Sequence, residues 1–107
     1  MMNAEITVHE FKAMSEGKED FQLIDVREGF EIEIASIGGL HIPMNEVINE
    51  LEKIDKDKPV MVYCRSGRRS AVIIDHIQQI TGHDNLYNLA GGILDWSEKI
   101  DNTIRQY

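Results

Sequence analysis

The chain has 107 residues, of which 42% are hydrophobic and 28% charged. That length and balance fit one folded domain, residues 1–107, with a single core, and exclude a disordered or low-complexity chain. A formal net charge of −8, from 11 Lys and Arg against 19 Asp and Glu, argues against nucleic acid or an anionic membrane surface as partner.

No apolar run approaches the roughly 18 residues of a membrane span. The start, Met1 to Glu5, lacks the basic and apolar segments of a secretory signal. One cysteine, Cys64, excludes an intrachain disulfide and a multi-cysteine metal site, and a reducing cytoplasm is the natural compartment. His9, His41, His76 and His83 show no metal-ligand spacing, so neither a metal nor a cofactor is expected.

In chain order, Thr7-Val8-His9-Glu10 reads as a capping box opening a helix to about Met14. Phe21 to Ile24 is a short apolar strand ending at Asp25. Glu28, Glu31 and Glu33 form an acidic stretch read first as a solvated face. Gly38-Gly39 marks a turn. Asn45 is a candidate cap for a helix with Val47, Ile48 and Leu51 as its apolar positions. Val60-Met61-Val62-Tyr63 is a continuous apolar strand of the buried, parallel type. Arg68 to about Ile80 follows a helical period, with Ile73, Ile77 and Ile80 on one stripe and Gly82 as C-cap. Leu86 to Leu89 is a last strand, Gly91-Gly92 a turn, and Ile93 to about Lys99 a short helix, followed by a surface tail. Strands alternating with helices predict an α/β sheet with crossover helices.

Three of the 11 basic residues, Arg65, Arg68 and Arg69, fall within five positions directly after Cys64. The segment Cys64-Arg65-Ser66-Gly67-Arg68-Arg69-Ser70 leaves the carboxyl end of a predicted strand and enters a helix, where open α/β sheets bind ligands. Backbone N–H groups converging at a helix N-terminus bind anions. Gly67 permits a positive φ. The same field stabilises a thiolate, and arginines add donors for an oxyanion. An isolated cysteine is more often an inert buried hydrophobe, but Arg-Ser-Gly-Arg-Arg is a poor flank for one. Ser66 is a candidate donor to the persulfide sulfur or a cap for the loop, and Ser70 a candidate partner for a loop carbonyl or amide. Asp25 and Arg27 read first as a fold-stabilising pair and second as supports of the loop. Trp96 reads as core packing or as a wall of the pocket.

These residues resemble the rhodanese family of sulfurtransferases over nearly the whole chain. The resemblance is carried by Ile24-Asp25-Val26-Arg27 with Glu31 and Ile37-Gly38-Gly39-Leu40-His41-Ile42-Pro43, by the Cys64 to Ser70 loop, and by Leu89-Ala90-Gly91-Gly92-Ile93-Leu94-Asp95-Trp96. It implies a three-layer α/β/α fold with a parallel five-stranded sheet of order 3-2-4-5-1. It also implies that the Cys64 thiolate accepts a sulfane sulfur, for example from thiosulfate or a persulfide-carrying protein. The persulfide then passes its sulfur to cyanide in vitro, or to a thiol or sulfur-carrier protein in the cell. With no second cysteine in the chain, that sulfur must leave to an external acceptor.

The two ends, Glu5 to Glu10 and Trp96 to Asp101 with Tyr107, also look like the C-terminal rhodanese domain of adenylyltransferase–sulfurtransferase fusions. That likeness implies a fused or separate adenylyltransferase partner. Related cell-cycle phosphatases share the fold with a seven-residue loop, whereas Cys64 to Arg69 spans six positions. The alternatives are a phosphatase or arsenate-reductase-like enzyme and a non-catalytic rhodanese-like binding module.

Overall fold

The computed structural model describes residues 4–17 and 19–107; the reading of Met1–Asn3 as part of a non-signal start lies outside them. Five strands form one parallel sheet: β1 (Glu5–Ile6), β2 (Gln22–Asp25), β3 (Leu40–His41), β4 (Val60–Tyr63) and β5 (Leu86–Leu89). Their order across the sheet is β1-β5-β4-β2-β3, the expected order read from the other edge. Both edge strands are only two residues long, which limits the unpaired backbone they present.

β4 lies at the centre of the sheet, and all four of its residues are buried. Its alternating side chains feed two cores. Val60, Val62 and then Cys64 pack under the helix α3 (Arg68–Thr81), together with Ile73, Ile74 and Ile77. Met61 and Tyr63 face the opposite layer, where α1 (Val8–Glu16) and α4 (Gly92–Lys99) contribute Val8, Phe11 and Ile93. This period-two alternation carries one step past the strand end and leaves Cys64 on the α3 face.

The capping box at Thr7 and Glu10 forms as expected, with Glu10 N–H donating to Thr7 Oγ1 at 3.1 Å and Thr7 N–H donating to Glu10 Oε1 at 2.9 Å. α3 ends at Gly82 with φ +73°, the left-handed C-cap its sequence predicts. Asn45 caps nothing. Residues Val47–Lys53 form a 3₁₀ helix entered from Glu46 without a side-chain cap and kinked at Glu50. Val47 and Ile54 are buried whereas Ile48 is largely exposed, so the face covering the sheet is narrower than the sequence pattern suggests. Among the described residues, no helix is long and apolar enough to cross a membrane.

Two further features depart from the sequence reading. The acidic stretch folds as a short helix, α2 (Gly29–Ile34), whose Glu31 is buried rather than solvated. The C-terminal residues are no free surface tail. Ile104 and Tyr107 pack against the α1–α4 core, and Ser97 Oγ donates to the Ile104 carbonyl at 2.5 Å.

Candidate active site

Cys64 sits at the carboxyl end of β4 with 0% of its surface exposed. Its sulfur faces a ring of donors from the turn that follows. Gly67 N–H donates to Sγ at 3.1 Å and Ser70 N–H at 3.5 Å, while Ser70 Oγ lies at 3.4 Å. Gly67 has φ +96° and serves as N-cap of α3, so the helix begins directly against the sulfur. The loop carbonyls turn the other way. Ile93 N–H donates to the Cys64 carbonyl at 3.0 Å and Leu94 N–H to the Arg65 carbonyl at 3.1 Å. With its C=O groups tied to the first turn of α4, the loop presents N–H groups inward, and an inward ring of N–H groups binds an anion.

Burial pushes the Cys64 thiol up, but hydrogen bonds from the Ser70 hydroxyl and from the N–H groups of Ser70, Gly67 and Ser66 outweigh it. The net shift is downward, toward the thiolate.

Asn88 on β5 fixes this arrangement, and the sequence reading missed it. Its side chain is buried, Nδ2 donates to the Gly67 carbonyl at 2.9 Å, and Oδ1 accepts from Ser70 Oγ at 2.5 Å. The Gly67 contact fixes which end of the carboxamide faces the serine. The one Ser70 hydroxyl proton is therefore shared between Asn88 Oδ1 and Sγ, and the backbone N–H groups are the permanent donors. The available signal was a polar residue inside the apolar strand Leu86-Tyr87-Asn88-Leu89, which a buried strand carries only if it is bonded.

The three arginines of the loop differ in their engagement. Arg69 forks onto Glu31, with Nη1 to Oε1 at 2.6 Å and Nη2 to Oε2 at 2.8 Å. Arg65 is exposed and donates through Nε (2.6 Å) and Nη2 to the main-chain oxygen of Tyr107, with its guanidinium 5.2 Å from that ring. Arg68 is exposed and takes part in no ion pair among the described residues. A cleft of about 400 Å³ opens beside the loop and is lined by Arg69, Ile73 and Glu28 together with Met44 and Ile48.

Among the described residues, Arg27 and Asp25 make no hydrogen bond or ion pair with the cysteine loop. Arg27 is fully buried and binds Asp25 through Nε and Nη2, the latter at 2.8 Å, and reaches the Ala35 carbonyl (2.8 Å) and the Tyr107 hydroxyl (2.8 Å). The pair thus holds α2 and the C-terminal residues to the end of β2, as its fold-stabilising reading has it. Trp96 packs on Phe11, ring centroids 5.6 Å apart, with the core cluster on the face of the sheet away from Cys64.

The rhodanese-like domain model matches residues 7–99 of the chain, loop and glycine pair included. The chain belongs to the rhodanese-like domain family. A sulfurtransferase of Allochromatium vinosum is 38% identical over 80 residues, covering 74% of both chains. Thiosulfate sulfurtransferase GlpE of Coxiella burnetii is 36% identical over 80 residues, again covering 74% of both. A solved rhodanese-related protein of Thermoplasma volcanium superposes with a TM-score of 0.80 at 27% identity, over 92% of this chain and 94% of that one.

Within this rhodanese-like domain, the Gly91-Gly92 pair does more than turn the chain. Gly92 has φ +60°, and a Cβ there would stand 2.5 Å from the carbonyl oxygens of both Cys64 and Arg65. Those are backbone atoms and cannot swing aside. Gly92→Ala is therefore expected to lower stability by about 3 kcal/mol or more, combining a left-handed conformation with a backbone clash. Urea denaturation measures that loss. Alkylation of the folded variant is expected to need higher pH, because the cradle lowering the thiol pKa is displaced.

The Glu31 carboxyl is held down to about 2, from an ordinary value near 4.5, mainly by the Arg69 fork; burial opposes this, and Glu28 N–H and the Tyr107 hydroxyl assist. A carboxyl whose folded pKa is depressed stabilises the fold above its unfolded pKa and loses that contribution as pH falls. The melting temperature is thus expected to drop between about pH 4.5 and 2. In Glu31→Gln that segment of the profile is expected to be shallower, and an unchanged slope would contradict the assignment.

Proposed function

We propose that the chain is a sulfurtransferase whose Cys64 takes a sulfane sulfur from thiosulfate as a persulfide and hands it to a nucleophilic acceptor. The observation that supports this most directly is the sulfur itself, ringed by the N–H groups of Gly67 and Ser70 at 3.1 and 3.5 Å. The family membership and the sulfurtransferase names of the relatives agree with it.

In the first half-reaction the Cys64 thiolate attacks the outer sulfur of thiosulfate. A new S–S bond forms, the S–S bond of thiosulfate breaks, and sulfite leaves with its electron pair. The donors that stabilise the thiolate then stabilise the persulfide anion, while Arg65, Ser66, Gly67, Arg68, Arg69 and Ser70 form the anion-binding loop. In the second half-reaction an acceptor attacks the outer sulfur, and the bond to Cys64 breaks to return the thiolate. The scheme is double displacement through a covalent enzyme and needs no external oxidant or reductant. Cyanide serves as acceptor in vitro. In the cell we assign that role to a thiol or a sulfur-carrier protein, the latter loaded by a fused or separate adenylyltransferase. A cytoplasmic setting suits the free thiol.

The test is intact-mass spectrometry of the reduced protein after thiosulfate treatment, then after cyanide. Gain of one sulfur atom at Cys64, lost on cyanide addition with release of thiocyanate, is the expected result. A folded protein with a titratable thiol that takes up no sulfur from thiosulfate or from a persulfide donor, yet hydrolyses a phosphate ester, would put the phosphatase alternative in its place. Inertness to all three would leave the binding module.

A further inference from the structure

One hydroxyl hydrogen beside the nucleophile has two acceptors. Ser70 Oγ lies 3.4 Å from Cys64 Sγ and 2.5 Å from Asn88 Oδ1, and Ser70 and Asn88 are both buried. Asn88 cannot turn its amide nitrogen to the serine, because Nδ2 is held by the Gly67 carbonyl at 2.9 Å. A serine hydroxyl has a single hydrogen to donate. Whichever acceptor it serves, the other goes without it.

The state of the sulfur decides which acceptor has the stronger claim. A hydrogen bond to a thiolate is charge-assisted and stronger than one between neutral groups. A thiol instead donates its own hydrogen to Ser70 Oγ, which leaves the hydroxyl hydrogen for Asn88. In a persulfide the negative charge sits on the outer sulfur, and Sγ again makes a weak claim. The N–H groups of Gly67 and Ser70, at 3.1 and 3.5 Å, are fixed in the backbone and cannot follow that change. The rest of the surroundings is equally fixed. Cys64 belongs to a core with the apolar Val62, Ile73 and Ile74, and Arg69, whose charge reaches Cys64, is forked onto Glu31.

Taking Cys64 as the sulfur-carrying nucleophile, on which this rests, we infer that Asn88 is a positioning residue acting through Ser70. It holds the Ser70 hydroxyl hydrogen while Sγ carries a proton or a sulfur atom, and gives it up when Sγ is a thiolate. In the first half-reaction charge leaves Sγ as the new S–S bond forms and sulfite departs, and the hydroxyl swings to Asn88. In the second the bond from Sγ to the outer sulfur breaks, Sγ takes the electron pair, and the hydroxyl swings back onto it. Asn88 thereby spares the loaded state a buried hydroxyl without an acceptor. The thiolate correspondingly gains only the difference between the two hydrogen bonds.

The rate of Cys64 alkylation by iodoacetamide against pH reads the thiol pKa and needs no sulfur transfer. Ser70→Ala is expected to raise that pKa in the parent protein, and to raise it further in an Asn88→Leu background. With Asn88 gone the hydroxyl has no rival acceptor, so the thiolate then loses a whole hydrogen bond rather than a difference. The Ser70→Ala shift is expected to be larger by about half a pH unit or more in that background, one neutral hydrogen bond expressed as a pKa difference. A merely structural Asn88, holding only the Gly67 carbonyl, would move the pKa equally with and without the serine hydroxyl.

A difference smaller than about half a unit, or one of opposite sign, overturns the positioning role. Should Asn88→Leu not fold, Asn88→Ala removes the same acceptor without adding bulk and is read by the same criterion. In sulfur transfer, the ratio of persulfide to thiolate reached in a thiosulfate–sulfite mixture is expected to fall in Asn88→Leu by roughly three- to tenfold, the same shift read as an equilibrium. It is expected to fall by a smaller factor when Ser70 is alanine, and an equal fall in both backgrounds counts against the role. A protein that takes up no sulfur yet shows the Ser70-dependent pKa shift would refute the sulfurtransferase reading and leave the positioning role standing. One that loads sulfur without that shift would do the reverse.

Discussion

Cys64→Ser is expected to abolish sulfur uptake, by at least about a thousandfold, while leaving the fold intact. The two atoms differ chiefly in acidity. The donors around Sγ, the Ser70 hydroxyl and the N–H groups of Ser70, Gly67 and Ser66, bring a thiol below its ordinary pKa. The same donors acting on an alcohol leave it protonated at neutral pH, because it starts several units higher than a thiol. A serine oxygen also forms no persulfide, so neither half-reaction has a covalent intermediate to pass through.

The fold should tolerate the exchange for a local reason. Gly67 N–H and Ser70 N–H need a buried acceptor in the position of Sγ, and a hydroxyl oxygen supplies one. The stability change is expected to stay within about 1 kcal/mol, as is ordinary for a substitution that keeps its hydrogen-bond partners. Intact mass after thiosulfate measures the first effect and urea denaturation the second. Retained sulfur uptake by the serine variant would remove Cys64 from the mechanism. A large stability loss would instead mean that the sulfur acts mainly as packing under α3.

What the sequence made legible follows from the range of the interactions involved. β4 and the loop could be read because their signals are local. An apolar tetrad ends at Cys64, and a cationic turn with one glycine enters a helix within six residues. Register, layer and the inward-facing amides all follow from that strand–turn–helix order. The Gly91-Gly92 pair was legible as a turn, but its close approach to the Cys64 carbonyl was not, since that contact joins two loops across the sheet end.

Glu31 shows the limit most plainly. Three glutamates in a six-residue stretch look solvated, and Glu28 and Glu33 are exposed. Glu31 alone turns inward, because its partner Arg69 lies 38 positions away and the Tyr107 hydroxyl 76 positions away. Only the family resemblance, which places it after Asp25-Val26-Arg27, sets it apart from its neighbours. Tyr107 escaped for the same reason. Read alone, the closing residues are a surface tail, and the core face and the Arg27 and Glu31 side chains that Tyr107 meets come from distant parts of the sequence.

The largest expected loss of stability comes from breaking the Asp25–Arg27 pair. Arg27→Met is expected to cost about 3–5 kcal/mol, the range for removing one partner of a buried ion pair and leaving the other charge uncompensated. Asp25 is 1% exposed and Arg27 fully buried. Arg27 also donates to the Ala35 carbonyl at 2.8 Å and lies 5.4 Å from the Tyr63 ring. Methionine fills part of the volume but offers none of the side-chain donors, so the Asp25 carboxylate keeps only the N–H of residue 27, at 3.0 Å, and the Ala35 carbonyl loses the guanidinium.

Against a total stability of about 5–15 kcal/mol for a domain of ordinary size, such a loss takes a fifth or more of the whole. The double variant Asp25→Asn with Arg27→Met separates charge from packing. It no longer buries an unpaired carboxylate and is expected to regain part of the loss, which urea denaturation of both variants will show. A loss below about 1 kcal/mol in Arg27→Met would mean that water reaches the end of β2 and solvates Asp25 there. The pair would then be a contact of convenience rather than the anchor that fixes α2, and with it Glu31, against Arg69 at the edge of the cysteine loop.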